Sequence, residues 1–211
     1  METDVKFSPE IDSLFEILNR NVCEYMDRGK PFTIQETAED GKAEITILTD
    51  CPCLLVRCLD EKGNIRSLPF FNQTWKQVTQ CADHLLFLLD TERQAWSLHI
   101  FEMKRSPDSK KWAHILRQFN GAMIRSYAIA GALRIPDFAS VHLHCCYRRD
   151  MSSLAKLRRP PGKFSNFLHE PITLHSYQTL TAKNVPIPLD DTGYAEITLD
   201  RRGCVIMPRS T

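Results

Sequence analysis

Asp83, Glu102 and Lys104 are the residues whose types and spacing point most directly to chemistry. Residues 95–104 read Ala-Trp-Ser-Leu-His-Ile-Phe-Glu-Met-Lys, an apolar run that closes on a Glu and a Lys. Side chains alternate faces along a strand, so Glu102 and Lys104 point the same way. A second apolar run, His84 to Leu89, precedes it, and the polar residues between them predict an antiparallel hairpin. With the turn centred between Glu92 and Arg93, Asp83 lies directly across from Glu102, with β-carbons about 4.5–5.5 Å apart. Two carboxylates that close repel unless a positive charge sits between them. A hard divalent cation answers that need, since Mg²⁺ is commonly held by one or two carboxylates and keeps several waters. Lys104 adds a cation able to position a water or stabilise charge on a phosphate. The set fits metal-assisted hydrolysis of a phosphodiester. The plain alternative is a surface ion pair between Glu102 and Lys104, worth under about 1 kcal/mol.

The elements that must hold these residues are read from periodicity. Ser8 and Pro9 predict the start of a helix over Pro9 to Arg28, with Ile11, Leu14, Phe15, Leu18, Val22 and Met26 on one stripe. Gly29 and Pro31 stop it. Short strands are predicted at Glu44 to Leu48 and Leu54 to Leu59, before a turn-rich Asp60-Glu61-Lys62-Gly63-Asn64. A second helix is predicted from Asp108 to Leu133, its stripe formed by Trp112, Ile115, Leu116, Phe119, Met123 and Tyr127. Val141 to Tyr147 reads as a strand, and two short strands follow near Ile172 to Leu174 and Ala195 to Leu199.

Asp83, followed nineteen residues later by Glu102-Met103-Lys104, resembles the D…(D/E)-x-K signature of the PD-(D/E)-x-K nuclease superfamily. The order helix, three antiparallel strands, helix, strand agrees over roughly Pro9 to Tyr147, although Asp83 follows Cys81-Ala82 rather than a proline. The resemblance implies an α/β fold: a mixed central sheet flanked by helices, with a restriction-endonuclease-like αβββαβ core. That core would span residues 1–147, with 148–211 as an extension packed on it. The resemblance further implies that Asp83, Glu102 and the Met103 carbonyl bind Mg²⁺ or Mn²⁺ and that Lys104 is the catalytic lysine. Gln118, with Arg117 beside it, matches a supporting position on the following helix, and Glu10, Glu16 or Glu24 a glutamate on the first helix. The implied activity is metal-dependent cleavage of nucleic acid, DNA foremost. A catalytically inactive nuclease-fold binding or scaffold module is the second expectation.

Composition frames these readings. Lys and Arg number 27 against 26 Asp and Glu, which excludes a polybasic or acidic disordered protein but leaves room for a local basic face. Arg148, Arg149, Lys156, Arg158, Arg159 and Lys163 supply one, able to track a phosphate backbone. Tyr147, Phe164 and Phe167 flank it as possible stacking partners for bases. No apolar run approaches the roughly 18 residues of a membrane span, and the acidic Met1-Glu2-Thr3-Asp4 start predicts a cytoplasmic chain without a signal peptide. The eight cysteines are then expected as reduced, buried thiols. Cys51, Cys53 and Cys58, with Cys81 as a candidate fourth ligand, form the one zinc alternative, without the usual C-x2-C spacing. A palindromic target would make a two-fold homodimer the default assembly.

Overall fold

The structure, a computed structural model, describes residues 11–36, 43–58, 74, 79–104, 109–148, 171–175 and 179–207. Among them lie two helices, α1 (Ile11–Ile17) and α2 (Ser109–Ala132). The strands are β1 (Cys23–Met26), β2 (Phe32–Glu36), β3 (Ala43–Thr49), β4 (Cys53–Arg57), β5 (His84–Asp90), β6 (Ala95–Lys104), β7 (Phe138–Arg148), β8 (Ile172–His175), β9 (Thr179–Asn184), β10 (Ile187–Leu189), β11 (Tyr194–Leu199) and β12 (Val205–Ile206).

The strands build two mixed sheets. The main sheet runs β1-β4-β5-β6-β7-β9-β8, with β10 also pairing β7. The second runs β12-β11-β3-β2. In the main sheet β1, β4, β5 and β6 are antiparallel neighbours, whereas β7 lies parallel to β6 after the α2 crossover. In the second sheet β11 lies parallel to β3.

This corrects the expected helix-flanked α/β core. Helices cover one face of the main sheet, and the second sheet covers the other. On the helix side Ile115, Phe119 and Met123 pack against Leu85, Phe87, Leu98, Ile100 and Leu143. On the opposite side Leu86, Leu88, Phe101 and Met103 pack against Ile34, Ile45, Ile47, Ile197 and Leu199. Burial on both faces explains why β5 reads His-Leu-Leu-Phe-Leu-Leu without alternation. β3 and β11 alternate because only one of their faces is covered.

Two local features account for the misreadings. The first helix stops at Ile17, and Cys23–Met26 is a strand. Asn19 ends the helix: its carbonyl takes the Val22 and Cys23 amides at 3.0 Å and its side chain takes the Asn21 amide at 2.9 Å. Val22 and Met26 therefore continue an apolar pattern in a different conformation. The region after Arg148 contributes strands to both sheets, β9 and β10 beside β7 and β11 beside β3. Its short apolar runs carry too little periodicity to reveal that partnership.

Helix α2 lies where its stripe predicts. It ends with the Ile135 amide donating to the Ala130 carbonyl at 2.8 Å, and Arg134 takes the left-handed conformation (φ 56°). No helix among the described residues is long and apolar enough to cross a membrane.

Candidate metal centre

The β5–β6 turn sets the geometry of the site. Asp90 Oδ1 accepts the amides of Glu92 (3.0 Å) and Arg93 (3.2 Å), and Gln94 adopts φ 52°. The register that follows pairs Asp90 with Ala95 and His84 with Phe101. Asp83, one residue before β5, thus faces Glu102 at the far end of the hairpin. The segment carrying Asp83 is pinned on both sides: the Cys58 amide donates to the Asp83 carbonyl (3.0 Å) and the Ala82 amide to the Gln118 carbonyl (3.2 Å).

Three of the expected side chains come together here. Asp83 Oδ2 accepts the Met103 amide at 2.6 Å, tying the carboxylate to the strand that carries Glu102. Lys104 Nζ pairs with Glu102 Oε1. Glu102 is fully buried; Lys104 engages its Oε1, and Oε2 has no hydrogen-bond partner among the described residues. Lys104 is the member of the trio that reaches solvent, its side chain 28% exposed.

The electrostatics follow from burial. Desolvation pushes Asp83 up to about 7 against the opposing pull of Lys104 and the Met103 amide, and Glu36 pushes it further in the same direction. Burial, then the neighbouring Asp83 charge, holds Glu102 well above the usual carboxylate range. Burial lowers Lys104, but Glu102 and Asp83 outweigh it and keep the ammonium above its ordinary value. Two carboxylates that resist ionisation beside a single cation form a donor set that a second positive charge would satisfy. The residues therefore fit a hard divalent ion held by Asp83, Glu102 and a backbone carbonyl. Among the described residues no three His, Cys, Asp or Glu side chains form a metal-binding group, so a backbone oxygen and waters would have to complete the shell.

The remaining expected residues divide. Gln118 is buried beside the Asp83 segment, its Nε2 3.4 Å from the Cys81 carbonyl and its Oε1 without a partner among the described residues. Arg117 instead holds Gln80 at 3.0 Å. Glu24 is engaged with Arg57 at 2.9 Å, Glu16 is exposed on α1, and Glu10 lies outside the described residues. Arg148 ends β7 and donates to the Thr192 carbonyl at 3.2 Å. Arg149, Lys156, Arg158, Arg159, Lys163, Phe164 and Phe167 lie outside the described residues.

The zinc alternative has no geometry behind it. Cys51 and Cys53 face the second sheet, whereas Cys58 and Cys81 face the helices, so the four thiols cannot converge. None of the eight cysteines is in a disulfide.

The sequence reading missed three neighbours. Glu36 ends β2 in the second sheet, and its charge raises Asp83. Cys145 is the parallel-strand partner of Glu102, its thiol pushed up to about 12 by burial and then by the Glu102 charge. His114 on α2 is lowered by burial and by Lys104, which places the start of that helix over the lysine. Only the E-x-K strand and the β7 run hinted at any of these, and neither specifies a register between parallel strands.

No family model, curated protein or solved structure matches the chain.

Proposed function

We propose that this protein is a metal-dependent nuclease, hydrolysing phosphodiester bonds of nucleic acid, DNA foremost, in the cytoplasm. One observation carries the reading. Asp83, tied to the Met103 amide, faces Glu102 beside Lys104, and the buried Glu102 carboxylate has Lys104 on Oε1 and no hydrogen-bond partner for Oε2 among the described residues. Asp83, Glu102 and the Met103 carbonyl would hold Mg²⁺ or Mn²⁺. When bound, that ion supplies Lewis acidity and acidifies water. Lys104, partly exposed and held protonated, donates to the attacking water or to a non-bridging phosphate oxygen. Gln118 braces the Cys81–Asp83 segment from α2 and acts as a positioning residue. Arg148, Arg149, Arg158, Arg159 and Lys163 would bind the phosphate backbone, and a homodimer would suit cleavage of both strands. The cysteines, none of them in a disulfide, accord with a reducing compartment.

The test is cleavage of plasmid and labelled single strands with and without Mg²⁺ or Mn²⁺, beside Glu102→Ala and Lys104→Ala. Metal-dependent cutting is expected from the parent chain and from neither variant, while both variants keep cooperative melting. Loss of cooperative melting in both would move these residues from chemistry to structure.

A second reading has its own observation: Glu102 is fully buried and already paired with Lys104. A non-catalytic binding or scaffold module would use that pair as a structural brace. Calorimetric titration with Mn²⁺ separates the two, since a brace takes up no metal.

A further inference from the structure

The face of the main sheet turned toward the second sheet carries three buried histidines, none used by the metal centre. His99 on β6 and His142 and His144 on β7 are each at most 1% exposed. The His99 and His142 rings stack with centroids 4.7 Å apart and planes 7° from parallel, and His99 Nδ1 lies 3.0 Å from His144 Nε2.

Their partners fix where the protons sit. His144 Nδ1 is 2.9 Å from the Val185 carbonyl, which only accepts, so Nδ1 is protonated and Nε2 is an acceptor. His99 Nδ1 must then donate to it, which leaves His99 Nε2 a bare lone pair. The Ser140 hydroxyl donates to Ser97 Oγ at 2.9 Å, so His142 Nε2 donates to Ser140 at 2.9 Å and His142 Nδ1 is bare as well. Neither bare nitrogen has a partner among the described residues.

The turn from Asp200 to Gly203, between β11 and β12, closes over them. Gly203 has φ +71°, and a Cβ there would lie 2.8 Å from His99 Nε2 and 3.2 Å from Ser97 Cβ. The turn is built by the Asp200 carboxylate, which accepts the amides of Arg202 (2.9 Å) and Cys204 (2.7 Å). Arg201 anchors it to Glu92 in the β5–β6 turn.

We propose that this stack is a proton-operated latch: a proton taken up at His99 Nε2 or His142 Nδ1 releases the Asp200–Gly203 turn, and β12 with it, from the main sheet. Protonation converts a buried, partnerless acceptor into a buried, partnerless cationic donor. That donor must reach water or a carboxylate, and the turn stands in the way. The groups facing the pair are few. From β7, His144 and His142 oppose charge on His99. Lys183 on β9 opposes charge on His142, whereas Asp200 on the turn favours it. β5 presents Leu86 opposite His99, while Asp90, Glu92 and Cys51 act on Arg201. Burial holds His99 well below its ordinary range and His142 at about 4. Release stays local because β12 pairs β11 through only Thr198–Ile206 and Leu199–Val205.

Backbone hydrogen exchange at pH 7.5 and pH 5.0, corrected for the intrinsic pH dependence of exchange, tests the latch. Protection at Gly203, Cys204 and Ile206 is expected to fall at least tenfold on acidification, while Leu86–Leu88 and α2 keep theirs. His99→Phe and His142→Phe should diminish that loss, and Gly203→Ala should open the turn at both pH values. Unchanged protection at the turn, or an equal loss in every strand, would overturn the proposal. If the phenylalanine variants do not fold, imidazole ¹⁵N shifts of the parent chain decide. The neutral Nδ1–H form of His99 and Nε2–H form of His142 at pH 7.5, with either ring converting to the doubly protonated imidazolium together with loss of protection of the turn, supports the latch. Ordinary titration of both rings near 6.5 with the turn still protected overturns it.

Discussion

Glu102 concentrates the opposing demands on this molecule. Its carboxylate is fully buried and paired with an ammonium that is itself partly in water. Desolvation of such a pair commonly exceeds the Coulombic gain. Glu102→Met should abolish Mn²⁺ uptake and cleavage, and replacing the whole pair, Glu102→Met with Lys104→Met, should raise the melting temperature by about 2–6 °C, which scanning calorimetry reads directly. Lys104→Met alone does the reverse, leaving Glu102 and Asp83 facing each other without their cation. Glu102 titrates above its unfolded range, so the folded state binds a proton the unfolded state lacks, and stability returns as pH falls. Urea unfolding of Lys104→Met should show a loss of roughly 1–3 kcal/mol at pH 8, shrinking toward pH 5.5. The Asp83–Glu102 pairing was legible in the sequence because a short hairpin turn dictates its own register. Glu36 was not, because it belongs to a strand of the other sheet, and no local pattern records where that strand lies.

At the scale of elements, β5 carries the burial of both layers. Phe87 faces the helices and Leu86 the second sheet, both without exposed surface. Phe87→Ala should cost about 3–5 kcal/mol through loss of burial and the cavity left behind, measured as a shift in urea midpoint without a change in slope. The hairpin and α2 could be read in advance because their periods, apolar runs and stop signals agree with one another. The first helix was overread because Val22 and Met26 extend the stripe in spacing while Asn19 breaks the backbone. The second sheet stayed hidden because its strands come from both ends of the described chain and each shows only a short alternation.

Taken whole, the molecule is acid-sensitive by construction. Burial holds His84 and His142 at about 4 and His144 at about 3, with His99 also well below its ordinary range. Below about 6.5 the unfolded chain binds protons that these folded histidines refuse, so stability falls as pH drops toward 4. Asp83 and Glu102 act in the opposite direction, gaining protons in the folded state first. Four groups outweigh two, and stability should fall by about 2–3 kcal/mol per pH unit between pH 6 and 5, a slope that denaturant titrations across that range will give. Removing residues 185–211 should abolish cooperative unfolding by circular dichroism, since β11 lies inside the second sheet and not at its rim. The same pairing has a consequence in time. Tyr194 meets Glu44 and Leu199 meets Thr49, so β3 finds its parallel neighbour only after some 150 further residues have been synthesised. At about 5–20 residues per second that wait lasts roughly 8–30 s. Throughout it, Ile45 and Ile47 belong to an incomplete layer on a ribosome-bound chain, where a holding chaperone would find its natural client.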